Sequence, residues 1–392
     1  MKIEYQNNIS KSYGYSFFSF FGITSLWVLY LQMKGLSLVE VGVCESIFHV
    51  ASFVFEVPSG LLADRFSYRF VLICGRVAAI VSALLMLFGN CFLLFALGFI
   101  FSALSYNLQS GTIEALIYDS LTSIAQTDRY PSIISKITIT SEFADMAGVV
   151  LAGFLVHWHF GLTYVLAAIF GFFGMLTVIF LKEPPSTHPN EQAVPRPTTA
   201  AILKAAADTL KKSSLLRNLM LFHALFSTIC TLYYFYFQSL MEKYHFPGGL
   251  ISALMIIAAV INICGLRYTP LLQQRLSKRT LIFLLTSSLL FLLLLTWVNQ
   301  LPLLCILFLF SQLLSSVIEP IFSSYYNTLI SSAQRATLLS VASALFSLIM
   351  SAIFPLAGWL LQNSSFSFTF GSCGVIFLLI LSLVSLKRCI FK

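Results

Sequence analysis

Charge is what this chain has least of. Only 10% of its 392 residues are Asp, Glu, Lys or Arg, while 58% are hydrophobic and Phe alone contributes 38. Soluble domains carry about 25% charged residues, so this set could not cover a water-facing surface of that size. The composition argues against a soluble enzyme, a disordered chain and a nucleic-acid binder. The net charge of +8 therefore matters through where the charges sit.

Other shortages narrow the reading further. None of the eight Cys forms a C-x-x-C pair, and most lie in apolar runs, which suits small buried hydrophobes better than metal ligands or disulfides. There is no P-loop G-x-x-x-x-G-K-[ST] and no H-E-x-x-H, and no nucleophile–base constellation supports catalysis. The expectation is a non-enzyme with no metal and no cofactor, driven by a proton gradient. The first apolar run begins near Ser12 without an A-x-A-like end, and reads as a span rather than a cleavable leader.

What the chain has is long apolar runs. Crossing a bilayer takes about 20 residues, and twelve runs qualify, at 12–33, 38–62, 69–89, 91–118, 133–157, 161–181, 215–241, 248–266, 280–298, 301–328, 336–361 and 366–386. Turn residues such as Gly35, Gly89-Asn90, Pro247-Gly248-Gly249, Asn299-Gln300 and Asn363-Ser364 separate them. With the N-terminus in the cytoplasm, only Lys34 and Lys243 of the 23 Lys and Arg fall outside, which is the positive-inside pattern. The expected fold is an all-α membrane protein of twelve transmembrane helices in two pseudo-symmetric six-helix bundles, both termini cytoplasmic. The expected division is an N-terminal bundle at 1–181, a linker at 182–214 and a C-terminal bundle at 215–392. The linker holds five of the twelve prolines, and the AILKAAADTLKKSSLLRNL stretch after them reads as an amphipathic surface helix.

An internal repeat supports two halves. The loop after the second run reads Leu61-Leu62-Ala63-Asp64-Arg65-Phe66-Ser67-Tyr68-Arg69, and that after the eighth reads Leu271-Leu272-Gln273-Gln274-Arg275-Leu276-Ser277-Lys278-Arg279. Five of nine positions are identical at an offset of 210. Two parallel six-span halves are a known transporter plan, with the substrate site between them.

On these residues the chain resembles the major facilitator superfamily, and within it bacterial drug:proton antiporters. Gly60, Leu62, Asp64, Arg65 and Arg69 match the loop signature G-x-L-A-D-[RK]-x-G-[RK]-[RK], with Ser67 where Gly is usual. The resemblance implies a cytoplasmic gate formed by Gly60, Asp64, Arg65 and Arg69 against the start of span eleven, Ser331 to Thr337, with Arg335. Asp64 is a carboxylate able to favour a helix N-terminus. Two departures stand out. Span five has Gly148 and Gly153 but lacks the antiporters' G-x-x-x-G-P, and span four lacks the Arg that precedes their Gln-Gly pair.

Ionisable groups within spans are functional candidates by default. They are Glu45 and Glu56 in span two, Glu114 and Asp119 in span four, Glu142 and Asp145 in span five, and Glu319 in span ten. Asp119 reads as a boundary charge. Arg76 reads as lying only a turn or two inside span three, which leaves these acids without fixed cationic partners. Glu45, His49, Ser52 and Glu56 share one helix face over about 16 Å; they form a proton path or, more plainly, a helix–helix hydrogen-bonding stripe. The proton-coupling candidates are thus Glu45, His49, Glu56, Glu114, Glu142, Asp145 and Glu319. Polar stripes run through span ten (Gln312, Ser316, Glu319, Ser323, Asn327) and span seven (Ser227, Thr231, Tyr234, Gln238). Trp27, Tyr30, Asn107, Thr231, Tyr234, Gln238 and Gln312 are the substrate-binding candidates, while Tyr236 and Phe237 read as packing or as an interfacial belt.

Unpaired acids with aromatics and no deep base suit a proton-coupled exporter of a hydrophobic or cationic small molecule working by alternating access. Proton-coupled uptake of a neutral nutrient such as a sugar is the alternative, and a non-transporting receptor is a third. The expected setting is a multi-pass bacterial cell membrane. The expected partners are the lipid bilayer and a small-molecule substrate, with no nucleic acid and a monomeric chain.

Overall fold

The computed structural model describes residues 2–184, 214–329 and 335–390. The predicted linker from 185 to 213, with most of its amphipathic helix, and the loop residues 330–334 of the predicted gate lie outside the described residues. Within them the structure is helical with no strand. The helices are α1 (Lys2–Ser19), α2 (Trp27–Met33), α3 (Leu38–Arg65), α4 (Tyr68–Phe88), α5 (Phe92–Gln109), α6 (Thr112–Ser123), α7 (Tyr130–His159) and α8 (Leu162–Ile179). After the linker come α9 (Ser214–Lys243), α10 (Gly248–Arg275), α11 (Lys278–Thr296), α12 (Leu301–Leu329), α13 (Arg335–Asn363) and α14 (Phe366–Ile390). A helix satisfies its own backbone hydrogen bonds, which a segment in hydrocarbon must do.

Among the described residues, ten helical segments are long and apolar enough to cross a membrane. The last predicted span, 366–386, falls on α14, within which Phe366–Leu379 is an apolar stretch. The first, 12–33, is two helices. Residues 20–26 form no helix, and short-range bonds such as Ile23 N–H to Phe21 O and Ser25 N–H to Gly22 O replace the ladder. The cause is a close approach of two backbones. A Cβ on Gly148 of α7 would lie 2.4 Å from Gly22 N and 2.5 Å from Ile23 N. The predicted span 91–118 is also interrupted, between α5 and α6, where Gly111 takes φ +78° and heads α6.

Two compact units form. The first comprises Met1–Trp27, Cys44–Lys204 and Pro247–Ser252, and the second Val28–Val43, Ala205–Phe246 and Ala253–Lys392. In the first, α4 packs on α5 and α8, and α1 packs on α6, α7 and α8. Tyr15, Leu72, Leu116, Ile117, Leu121 and Val178, none more than 1% exposed, close its core. Asn8, fully buried, ties three elements together by donating to Ser120 Oγ (2.9 Å) and Lys182 O (2.8 Å) and accepting from Lys182 N–H. In the second, α9 packs on α12 and α13, and α11 packs on α12 and α14. Its core is aromatic, with Phe237 stacked on Phe308 at 4.4 Å. Gln238 Oε1 accepts the Leu29 N–H at 3.3 Å, holding residues 28–43 to this unit.

The sequence repeat is also a structural one. Ser67 Oγ accepts from Phe70 N–H and caps α4, and Ser277 Oγ accepts from Thr280 N–H and caps α11, both at 3.2 Å. The two serines share extended backbone angles, φ/ψ −63/146° and −66/154°. The serine that replaces the signature's glycine thus has a capping role. The same offset relates two helix ends. After α2, Leu36 N–H returns to Leu31 O around Gly35 (φ +91°), and after α9, Phe246 N–H returns to Met241 O around His245 (φ +47°).

Candidate functional site

In the first unit the decisive side chain is Arg76. It stands eight residues into α4, about 12 Å along the axis, and is 3% exposed. Its Nη2 donates to Gln109 Oε1 and, at 3.2 Å, to Ser105 Oγ. Tyr15 donates its hydroxyl to the same Gln109 oxygen at 3.2 Å, and the guanidinium lies 5.4 Å from the Tyr15 ring centre. Arg76 Nε is buried with no hydrogen-bond partner. No carboxylate among the described residues forms an ion pair with it. Arg76 lines a cavity of about 290 Å³ whose walls include Phe18, Phe21, Phe170, Ser105 and Gln109. Arg76 thus stands about two turns inside the span, as expected, but its side chain is buried among partners from α1 and α5. The arginine that span four lacks comes from the neighbouring α4 and reaches Gln109 of α5. A charged residue in the interior of an apolar helix was the available signal.

In the second unit the sequence reading missed His223 and Tyr326. The His223 ring is stacked on Phe322 at 4.6 Å and 8°. Its Nδ1 lies 3.1 Å from Tyr326 Oη, and its Nε2 lies 3.2 Å from Glu319 Oε1. Ser227 Oγ reaches the same carboxylate oxygen at 3.5 Å. The histidine side chain is 14% exposed and that of Glu319 63%. Both ring nitrogens thus have polar neighbours: Nε2–H can donate to the carboxylate while Nδ1 takes the phenol proton, or both nitrogens can carry protons. Glu319 thus has an imidazole neighbour that the expectation of unpartnered acids did not include. The signal was present, since His223 extends the Ser227–Thr231–Tyr234–Gln238 stripe by one more turn, and Tyr326 lies two turns past Glu319.

The other candidates separate. Glu45 and His49 are both buried, 3.5 Å apart on α3; Ser52, next on that face, accepts from Asn107 Nδ2 at 2.8 Å, which joins α3 to α5. Glu56 closes the stripe at partial burial. Glu114 and Glu142 are exposed. Asp145 accepts from Ser25 Oγ at 3.4 Å, and a Cβ on Gly22 would strike its Oδ1, so it sits at the break between α1 and α2. Asp119, near the end of α6, is buried and accepts from Oη of Tyr68, the first residue of α4, at 2.8 Å.

Trp27 packs edge-on against Phe99 at 5.1 Å, Tyr30 is 2% exposed, and Tyr234 stacks on Phe308 at 5.9 Å. Thr231 is half-buried, while Gln312 is buried and donates to Ser311 Oγ at 3.3 Å. Gln238 is fully buried and accepts a backbone N–H, which gives it a role in the scaffold. Tyr236 and Phe237 are wholly buried, with Tyr236 Oη donating to Phe354 O at 2.7 Å, so they are packing residues and not a belt.

Of the expected gate, Gly60, Asp64 and Arg65 lie in the last turns of α3 and Arg335 opens α13; their side chains lie outside the description. Arg69 is described, and its Nη2 donates to Ile179 O at the end of α8. The carboxylate found at the N-terminus of α4 is Glu183, which accepts from the N–H groups of Tyr68 (2.7 Å) and Arg69 (3.2 Å). It makes the favourable dipole contact expected of Asp64.

The Major Facilitator Superfamily profile matches residues 12–290. The chain belongs to this superfamily. Membership places it among multi-pass membrane proteins. The MFS-type transporter YxaM of Bacillus subtilis (strain 168) is 24% identical over 166 residues. That match spans 42% of this chain and 41% of the relative's length. Crystal structures of the nucleoside transporter NupG and of the xylose transporter XylE from E. coli, inward open, share the fold. The first has a TM-score of 0.72 at 15% identity, covering 98% of this chain and 99% of that one. The second has a TM-score of 0.66 at 14% identity, covering 95% and 93%.

Proposed function

We propose that this superfamily member is a proton-coupled secondary transporter that exports a hydrophobic or cationic small molecule by alternating access. The setting is a bacterial cell membrane, with twelve spans in two bundles and both termini cytoplasmic. The observation that carries the coupling is the His223–Glu319 pair inside membrane-length helices. Its imidazole and carboxylate lie 3.2 Å apart, so a proton can pass between them, and the carboxylate can exchange a proton for a cation. Glu45–His49 on α3, Glu56, and Asp145 at the break in the first span are further proton-coupling candidates. The positive-inside pattern supports the orientation, and a broken helix beside a carboxylate is a device that transporters use at ion and substrate sites. A second reading, proton-coupled uptake of a neutral solute, draws support from the nucleoside and xylose transporters that share the fold.

Inverted membrane vesicles with an imposed proton gradient decide between them. Accumulation of a lipophilic cation, collapsing when a protonophore is added, supports export. Gradient-driven movement of a nucleoside or pentose in the opposite sense, with no cation flux, supports uptake. A flux of any of these that ignores the gradient rejects coupling.

A further inference from the structure

The cavity beside Arg76 is not used by that reading. We propose that it is a binding site, built wholly within the first unit, for a small aromatic monocarboxylate. A guanidinium keeps its charge at any physiological pH, and a charge removed from water needs a counter-charge or a full set of acceptors. Arg76 is 3% exposed and receives only neutral acceptors, Gln109 and Ser105, on Nη2, and a ring face from Tyr15. Its Nε–H is left with no acceptor while the side chain lines open space. What the site lacks is one anionic oxygen pair, and a carboxylate supplies it.

The rest of the lining selects the body of the ligand. Phe18 of α1, Phe21 of the break that follows it and Phe170 of α8 line one part of the cavity, with Phe21 stacked on Phe170 at 4.3 Å. Arg76 comes from α4 and Ser105 and Gln109 from α5, while Ser19 and Thr24 line the cavity beside Phe18 and Phe21. Rings together with one cation suit a ligand with a flat body and a single charged end. A volume of about 290 Å³ admits one aromatic ring with its carboxylate, and is at the small end of ligand sites. One guanidinium with no second cation beside it fits a monoanion better than a phosphate dianion.

The test is calorimetric titration of the purified full chain in detergent with benzoate, benzamide, acetate, octanoate and inorganic phosphate. Benzoate is expected to bind at least about tenfold more tightly than benzamide, which keeps the shape and loses the charge. It should also exceed acetate, octanoate and phosphate. Ser102→Phe, which places a ring in the cavity and leaves Arg76 intact, is expected to abolish benzoate binding. Equal affinity for benzoate and benzamide, tighter binding of octanoate or phosphate, unchanged binding in Ser102→Phe, or no binding of benzoate at any attainable concentration would each overturn the proposal. The comparison of ligands needs no variant, so it decides even where Ser102→Phe does not fold. No gradient is applied, so the outcome is independent of the proton-coupling reading.

Discussion

The first span and the segment one repeat later end in the same kind of turn, around Gly35 and His245, yet only one of them is broken. Residues 20–26 interrupt the path from α1 to α2, whereas 230–236, displaced by the same 210 positions, run through α9 without a gap. The side chains explain the difference. Phe20-Phe21-Gly22-Ile23-Thr24-Ser25-Leu26 contains a glycine against which the backbone of α7 can press at Gly148. Cys230-Thr231-Leu232-Tyr233-Tyr234-Phe235-Tyr236 has Leu232 at that place and fills its surroundings with rings. The chemistry diverges with the backbone. Arg76 lies in the first unit and His223 in the second, and the positions 210 residues away from them are Thr286 and Tyr13. The repeat supplies a common frame of spans, and departures from it place the groups able to bind or titrate.

The sharpest way to break this contrast is to remove the titrating pair. Glu319→Gln keeps the shape and hydrogen-bonding capacity of the side chain but fixes it as neutral. Gradient-driven flux in proteoliposomes should fall by about a hundredfold, the scale set by a positioned proton-transfer group. Exchange of labelled for unlabelled substrate without a gradient should survive. His223→Gln should act in the same direction and flatten the pH dependence of uphill flux. If uphill transport in both variants keeps the wild-type pH profile, the second unit is not where protons are exchanged.

The break in the first span gives a structural prediction of the next size. Gly148→Ala would put a Cβ 2.4 Å from Gly22 N, and backbone cannot yield as a flexible side chain can. The expected cost is about 1–3 kcal/mol, seen as a lower midpoint of thermal unfolding in detergent. Gly249→Ala, where an added Cβ meets nothing within 4 Å, should be neutral or stabilising by up to about 1 kcal/mol. Equal effects would mean that the approach of α7 does not hold the break open.

The all-helical, multi-span character was legible because apolar length is additive along a sequence, and each long run announces itself. The breaks at 20–26 and at Gly111 were not legible, because hydropathy averages over a window and does not register which backbone will approach a glycine. The site was half legible for a related reason. Glu319 stood out as a charge in an apolar run, but its partner His223 lies 96 positions earlier on another helix, and pairing across helices is decided by packing. Arg76 was visible and placed about two turns inside its span, as α4 has it, but its burial against Ser105 and Gln109 depends on how α5 packs on α4 and was not legible.

Those caps provide the finest comparison of the two halves. Ser67→Ala and Ser277→Ala each remove a side-chain acceptor from a helix N-terminus, and each should cost about 1 kcal/mol. Similar values in the two positions are expected from their matching geometry; a cost in one alone would mean that the repeat survives in sequence but not in energetics. The smallest effect belongs to the paired turns. Gly35 adopts its positive φ without a side chain to clash, whereas His245 holds φ +47° with one. A left-handed residue with a Cβ is penalised by about 1–2 kcal/mol, and glycine loses about 0.5–1 kcal/mol more chain entropy on folding. His245→Gly should therefore stabilise the second unit by about 0.5 kcal/mol, making its turn match the one at Gly35. A loss of stability instead would show that the imidazole contributes a contact outweighing its backbone strain, and that this turn, too, has departed from its repeat.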